Sequence, residues 1–236
     1  MKSVVLSFLT ALFIFNFPAS AQQISWLKDF KEAGRIAVES GKPMLIDFTA
    51  TWCKPCREME KDFWTRADVI EISKDFVCVK ADLNENPKLA DRYGVESLPN
   101  MIMTDSWGFG LDFHRGFGLN AKEEIIEKLR GVPKDFSEIK EAEKVLVSNK
   151  NNLKALSKIA DFYQSRKLYY LSSEFYNRIL KLEKIPTRRE ILMLNLGSNY
   201  LNIGWNEEAR NIFKRFKKEF PNSPQIEKVN RDLANL

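Results

Sequence analysis

Residues 43–64 read PMLIDFTATWCKPCREMEKDFW, an apolar run that leads into two cysteines and then into a helical pattern. The segment MLIDFTA is short and apolar, which predicts a buried β-strand. Cys53 and Cys56 follow where that strand ends and the next helix begins. A lysine and a proline separate them, and a proline is tolerated in the first turn of a helix because its missing N–H would have no partner there.

Strand and helix patterns alternate on both sides of this stretch. The predicted order is helix, strand, helix, strand, helix, strand, strand, helix, at residues 24–40, 44–50, 57–76, 76–83, 85–95, 99–104, 111–117 and 120–132. Strands separated by helices favour a partly parallel sheet covered on both faces, and the short turn between the last two strands predicts an antiparallel hairpin. We therefore predict an α/β domain with a mixed sheet flanked by helices.

The chain changes character near residues 131–134. Beyond Pro133 only helical patterns follow, at residues 135–148, 151–165, 168–183, 188–203, 206–219 and 224–235. The net charge is −3 over residues 22–133 and +7 over residues 134–236. We predict two domains with these bounds, the second one all-helical. A nucleic-acid partner is not expected, because the basic residues alternate with acidic ones and form no dense basic arm.

The first 21 residues have the layout of a secretory signal peptide. Lys2 precedes a mostly apolar run at residues 4–17, and Ala19-Ser20-Ala21 offers a small-residue cleavage site. The run is shorter than the ~20 apolar residues that a membrane span needs, so an uncleaved anchor is the less favoured alternative. We expect cleavage near Ala21 and a periplasmic or secreted chain, in a compartment where disulfides persist.

Three roles are open to the cysteine pair. A structural zinc site needs four ligands, and the remaining soft ligands, Cys78 and His114, stand at no recognisable spacing from the pair. A structural disulfide would close a very short loop, and the stabilisation falls as the loop shortens. A redox dithiol is favoured, since the pair follows a strand in an exported α/β domain. Cys78 is then expected to be a buried free thiol, and His114 a surface residue of the hairpin.

The position of the pair explains how such a dithiol would react. Unpaired N–H groups and the positive end of the helix dipole favour a thiolate at Cys53, and the thiolate is the attacking species. Cys56 lies one helical turn further on, so it can resolve the mixed disulfide that Cys53 forms. This chemistry needs no organic cofactor and no metal.

The stretch resembles the thioredoxin superfamily, and within it the periplasmic C-terminal domain of the membrane thiol:disulfide interchange reductases. The resemblance rests on Asp47-Phe48-x-Ala50-x-Trp52-Cys53-x-x-Cys56 and on Ser97-Leu98-Pro99-Asn100, which stands in the place of the family's cis-proline loop. It covers about residues 24–131, and Asn100 stands where the family usually has threonine. The resemblance implies a thioredoxin-like fold and thiol:disulfide oxidoreductase activity.

The resemblance also implies roles for single residues. Cys53 is similar to the family's nucleophile and Cys56 to its resolving thiol. Asp47 falls where the family has a buried acid that helps to deprotonate the resolving cysteine, which suits the raised pKa that burial gives to a carboxyl group. Lys80 falls where many members place a lysine close to that acid. The alternatives are an acid that merely ends a strand and a solvated lysine.

A substrate groove is implied beside the sulfurs. Pro99 would follow a cis peptide bond that exposes the backbone of Leu98 to an extended substrate, as one strand pairs with another. Trp52 would form an apolar wall of the same groove. The alternatives are an ordinary edge proline and a tryptophan in the core.

The helical half contains a weak internal repeat. Its second copy resembles a tetratricopeptide repeat in the spacing of five residues, namely Gly197, Tyr200, Ala209, Phe213 and Pro221. The first copy lies 37 residues earlier and has Ser172 where a small alanine is usual. Such an array either presents a surface for a protein partner or stabilises and orients the first domain.

We expect an exported thiol:disulfide oxidoreductase that reduces protein disulfides. Reduction is favoured because no histidine lies between the cysteines to stabilise the reduced thiolate and make the disulfide strongly oxidising. Such a reductant needs a membrane-embedded electron donor to recharge it. The alternative from another class is a redox-sensing binding module whose helical repeats recruit a partner.

Overall fold

The computed structural model describes residues 23–236, so the predicted signal peptide lies outside the described residues. The first part is a five-stranded sheet in the order β1-β3-β2-β4-β5. Its strands are β1 Trp26–Leu27, β2 Met44–Thr49, β3 Val77–Asp82, β4 Asn100–Thr104 and β5 Gly110–Arg115. The strands β1, β3 and β2 run parallel, whereas β4 and β5 are antiparallel additions at the β2 edge.

Five helices cover the two faces of this sheet, namely α1 Phe30–Ser40, α2 Lys54–Asp62, α3 Ala67–Ser73, α4 Pro87–Arg92 and α5 Ala121–Gly131. Alternate strand residues point to opposite faces. Leu45 belongs to the cluster that α2, α3 and α5 cover, whereas Ile46 belongs to the cluster that α1 and α4 cover. The predicted mixed α/β sheet and its antiparallel hairpin are confirmed, and the helical stretch over residues 57–76 is divided into α2 and α3.

The predicted helix over residues 24–40 is wrong in its first third. Trp26 and Leu27 pair with Cys78 and Val79 of β3 as a short edge strand. The helix begins only after Asp29, whose carboxylate accepts hydrogen bonds from the backbone N–H groups of Lys31 and Glu32 and thereby caps it. The helical spacing of apolar residues extends back across the short strand and the cap, so the spacing alone does not show where the helix begins.

The remainder of the chain is helical. A short 3-10 helix, Ser137–Ile139, precedes α6 Lys140–Ser148, α7 Leu153–Ser165, α8 Tyr169–Leu182, α9 Pro186–Asn202, α10 Asn206–Glu219 and α11 Ile226–Ala234. Each helix lies against the next one in sequence, and together they bury a separate apolar cluster. Between residues 23 and 236, no helix is both long enough and apolar enough to cross a bilayer.

The helical part is joined to the sheet by specific contacts. The N–H of Phe136 donates to the carbonyl of Gly41 over 2.7 Å. Gly41 has φ of 73°, and a Cβ added there would lie 2.3 Å from Oγ of Ser137, so the contact requires glycine. The hydroxyl of Tyr163 in α7 donates to the buried carboxylate of Asp105, which follows β4. The two parts therefore share polar as well as apolar contacts.

Candidate functional site

Cys53 and Cys56 form a disulfide at the start of α2. Cys53 is the N-cap residue, and its sulfur accepts the backbone N–H of Cys56 over 3.2 Å. Both residues are buried, and they pack with Ala50, Leu83 and Leu98. A sulfur atom that already receives an N–H at the positive end of a helix is well placed to carry negative charge after reduction.

The lysine between the cysteines contributes little to this charge. The side chain of Lys54 is 81% exposed and lies 3.9 Å from the carboxylate of Glu58. Water and salt screen an exposed ammonium group, so its effect on a neighbouring sulfur is small. The helix terminus itself remains the main source of positive potential at the sulfur.

Asp47 is buried in the middle of β2, six residues before Cys53. Burial raises the pKa of its carboxyl group from 3.8 to about 7, because an apolar environment disfavours the ionised form; Lys80 opposes the rise, and Glu60 adds to it. The Asp47 carboxylate accepts the indole N–H of Trp64 over 3.1 Å, and the ammonium of Lys80 lies 3.9 Å away. Asp47 can therefore exchange a proton near neutral pH.

Glu60 completes this acidic cluster, and the sequence reading missed it. Its carboxylate binds the ammonium group of Lys80, so Lys80 stands between two acids. The Lys80 ammonium also lies 4.7 Å from the centre of the Trp26 ring. The only signal in the sequence is that Glu60 lies one helical turn beyond Cys56, which does not reveal a lysine on another strand. Lys80 is thus an ion-paired residue rather than a freely solvated one.

The loop before β4 lies beside the cysteines. The Leu98–Pro99 peptide bond is cis, and Leu98 packs against the cysteine cluster. The carbonyl of Pro99 accepts the N–H of Gly116 over 2.8 Å, which ties this loop to the segment after β5. Trp52 is 63% exposed next to the pair, so it is not a core residue. The predicted cis bond and the exposed apolar side chain are both present.

Cys78 and His114 lie outside the Cys53–Cys56 cluster, although Asp47 is close enough to Cys78 to add to the rise in the pKa of its thiol. Cys78 is buried and, in the described part of the chain, forms no disulfide; burial raises the pKa of its thiol to about 12. His114 is also buried, and its Nδ1 lies 3.1 Å from the carboxylate of Glu124, so the expectation of a surface histidine is wrong. Its side chain faces α5, which covers that part of the hairpin. Residues 23–236 contain no group of three or more His, Cys, Asp or Glu side chains that could hold a metal.

Comparisons with known proteins agree with this geometry. Residues 25–106 match a family described as thioredoxin-like. A thioredoxin-like protein of Synechocystis is 30% identical over 108 residues, which are 44% of this chain and 93% of the relative. Thioredoxin H3 of Arabidopsis thaliana is 38% identical over 103 residues, 44% of this chain and 81% of the relative. The thiol:disulfide interchange protein DsbD of Ralstonia nicotianae is 32% identical over 91 residues, 37% of this chain and 15% of the relative.

Proposed function

Because the chain belongs to the thioredoxin-like family and is a thiol:disulfide oxidoreductase, we propose that it is an exported enzyme that reduces protein disulfides. One observation carries the proposal: Cys53 caps α2 and its sulfur receives the N–H of Cys56. The same contact that an N–H makes with the sulfur in the disulfide is stronger with a thiolate, because the acceptor is then charged. The reduced enzyme would therefore hold a nucleophile at the helix terminus.

The reaction transfers two electrons from the dithiol to the substrate. The Cys53 thiolate attacks one sulfur of the substrate disulfide, forms a mixed disulfide and releases the other sulfur as a thiolate. Asp47, as its carboxylate, accepts the proton of the Cys56 thiol, and the Cys56 thiolate attacks Sγ of Cys53. The substrate leaves with both of its sulfurs reduced, and the enzyme retains the Cys53–Cys56 disulfide. Released thiolates take protons from solvent or from Asp47.

Recharging the enzyme requires a second dithiol. The chain supplies no electrons of its own, so we propose a membrane-embedded donor that reduces the Cys53–Cys56 disulfide outside the cytoplasm. The name of the Ralstonia relative, a thiol:disulfide interchange protein, supports exchange between dithiols as the mode of supply. Export through the predicted signal peptide, which we propose, would bring this chain to the same side of the membrane as its proposed substrates.

The substrate would bind in an extended conformation over the cis-proline loop. Leu98 packs against the cysteine cluster, and we propose that its backbone pairs with the substrate strand while the exposed ring of Trp52 offers apolar contact. Backbone pairing is tolerant of sequence, which suits an enzyme that reduces several proteins. We assign Leu98, Pro99 and Trp52 to substrate binding on these grounds.

For the helical part we propose a tetratricopeptide-like array that binds a protein partner. Its support is the packing of consecutive helix pairs and the close approach of α9 to α10, where a Cβ on Gly197 would lie 2.3 Å from the Phe213 ring. A cavity of about 560 Å³ lies between α7, α8 and α9, with Lys154, Asp161 and Arg188 among its lining residues. This cavity also favours the alternative function, a redox-sensing module that recruits a partner.

Two measurements test the proposal. The reduction potential of the Cys53–Cys56 couple, equilibrated against dithiothreitol or glutathione, should lie near the thioredoxin value of about −270 mV; a value near about −120 mV would mark an oxidant instead. Insulin reduction should disappear in Cys53→Ser and persist in Cys78→Ala, because Cys78 is a buried free thiol outside the Cys53–Cys56 disulfide. Persistence of reduction in Cys53→Ser would refute the assigned nucleophile.

Substrates, export and the rival function are tested in the cell of origin. A Cys56→Ala variant cannot resolve its mixed disulfides, so it should retain its substrates covalently and allow their identification. Recovery of the chain outside the cytoplasm, with its first residues removed near Ala21, tests export. If Cys53→Ser supports every phenotype of the wild type while deletion of residues 134–236 does not, the binding module is the better account.

A further inference from the structure

A second cavity lies where the helical part meets the β4–β5 turn, apart from the cysteines. Its volume is about 220 Å³, and three aromatic side chains line it, namely Trp107 and Phe109 of the turn and Phe175 of α8. The rings of Phe109 and Phe175 meet edge to face with centroids 6.2 Å apart. Phe109 is 47% exposed, so the cavity opens to solvent at its rim. An apolar cavity of about 150 Å³ accommodates a benzene ring, so this one has room for a small ligand.

A buried acid with no hydrogen bond of normal geometry is part of the same wall. Glu143 of α6 is only 5% exposed, and neither of its carboxylate oxygens has a hydrogen-bond partner among residues 23–236. The indole N–H of Trp107 faces this carboxyl group closely enough to lower its pKa, but neither side chain has a hydrogen-bond partner of normal geometry within that range. Buried polar groups are usually satisfied, and an exception calls for an explanation such as an absent ion or ligand.

The charges around Glu143 favour a cation as its missing partner. Asp105 is buried nearby, where it accepts the Tyr163 hydroxyl and two backbone N–H groups, and it adds negative potential. Arg178 lines the rim, where its guanidinium lies 5.5 Å from the centre of the Phe175 ring. It donates to the carbonyl of Lys150 over 2.7 Å, and it makes no hydrogen bond to Glu143 in the described structure. Aromatic faces attract cations through their quadrupole, and a set of rings around one site is how proteins hold alkylated ammonium groups.

We propose that this cavity binds a small alkylammonium ion, whose cationic end pairs with Glu143 and whose methyl or methylene groups contact the three rings. Burial raises the pKa of Glu143 to about 9, with Asp105 adding to the rise and the Trp107 indole opposing it. Glu143 is therefore mostly protonated at neutral pH in the free protein, and it must release its proton when the cation binds. Binding should thus tighten as the pH rises towards 9.

The test compares the binding of a cation with the binding of a neutral molecule of nearly the same shape. Choline and 3,3-dimethylbutan-1-ol are titrated into the oxidised protein by calorimetry, in buffers with different ionisation enthalpies that report proton release. We expect choline to bind about tenfold more tightly than the alcohol, and to release up to one proton at pH 7. Equal binding of the two probes, or no binding of either, would overturn the proposal and leave an ordinary hydrated cavity.

Two matched variants locate the site. Glu143→Gln keeps the shape of the side chain and should abolish both the preference for choline and the proton release. Glu141→Gln, two positions earlier but on the exposed side of α6 and paired with Lys144, should bind choline like the wild type. Equal loss in both variants would point to non-specific charge attraction. A lysine dipeptide that binds more tightly than choline would assign the cavity to a polypeptide side chain instead of a small ion.

Disulfide reduction serves as the separate readout. Glu143 lies outside the cysteine site, so Glu143→Gln should reduce insulin at the wild-type rate whether or not it binds choline. The ammonium site and the proposed reductase activity can therefore fail independently of each other.

Discussion

Replacing Asp47 by asparagine should make the protein more stable, and more so at higher pH. Burial raises the pKa of Asp47 from 3.8 to about 7. At 1.36 kcal/mol for each pH unit between these values, ionising this carboxyl group in the folded state costs up to about 4 kcal/mol. The folded state binds the proton more tightly than the unfolded chain, so stability falls as the pH rises from about 4 to about 7.

The Asp47→Asn variant avoids this free-energy cost, because its amide group stays neutral at every pH. The amide oxygen still accepts the Trp64 indole N–H, which Asp47 accepts over 3.1 Å. Urea denaturation of the oxidised protein should show equal stabilities of variant and wild type near pH 4, and a gap that grows to about 4 kcal/mol above pH 8. The matched control is Asp62→Asn, an exposed acid at the end of α2, for which we expect no gap at any pH.

The same variant should be a poorer enzyme. Without the carboxylate, the Cys56 thiol loses its proton acceptor, so insulin reduction should slow by at least roughly tenfold and the mixed disulfide should accumulate. A stability gap that is independent of pH, or a variant that is both stabilised and fully active, would refute the assignment of Asp47 as a buried proton acceptor.

Three further changes test neighbouring parts of the account. Glu60→Gln removes the acid that binds Lys80, so the pKa of Asp47 should fall and the pH profile of insulin reduction should move to lower pH by roughly half a unit. Tyr163→Phe leaves the buried Asp105 carboxylate short of a donor and should lower the free energy of unfolding by about 1–3 kcal/mol, whereas the exposed Tyr170→Phe should have little effect in the same urea titration. Gly197→Ala forces a methyl group into the Phe213 ring and should lower the free energy of unfolding by about 1–3 kcal/mol. The control is Gly34→Ala in α1, where a Cβ meets no atom of residues 23–236 within 4 Å. Calorimetry should show a small gain in stability for this control.

The spacing of apolar residues along the sequence predicted most of the strands and helices, because that spacing follows directly from which faces of each element are buried. Met44–Thr49 is apolar on both sides because helices cover both faces of β2, and the helices after Pro133 follow their apolar spacing closely. The short strand Trp26–Leu27 was beyond prediction, since two residues have no period of their own and gain their structure from pairing with β3.

The site was predictable where its residues are close in sequence. Cys53, Cys56 and Asp47 lie within one strand–helix unit, whereas the contact of Glu60 with Lys80 joins a helix to a strand 20 residues away. His114 was misjudged for a related reason: alternation along β5 places it on one face of the sheet, but only the packing of α5 decides that this face is covered. The aromatic cavity around Glu143 joins the β4–β5 turn to three helices, α6, α7 and α8, and has no signature in any one of them.

The most direct test is the ionisation of the attacking sulfur. The fully reduced protein is alkylated with iodoacetamide at a series of pH values, and mass spectrometry identifies the modified cysteine. The account predicts that Cys53 reacts first and reaches half of its maximal rate at a pH below about 7.5, while the buried Cys78 stays unmodified. Alkylation of Cys53 only at the pH of an ordinary thiol, about 8.5 or above, would contradict the central claim that the start of α2 holds a reactive thiolate.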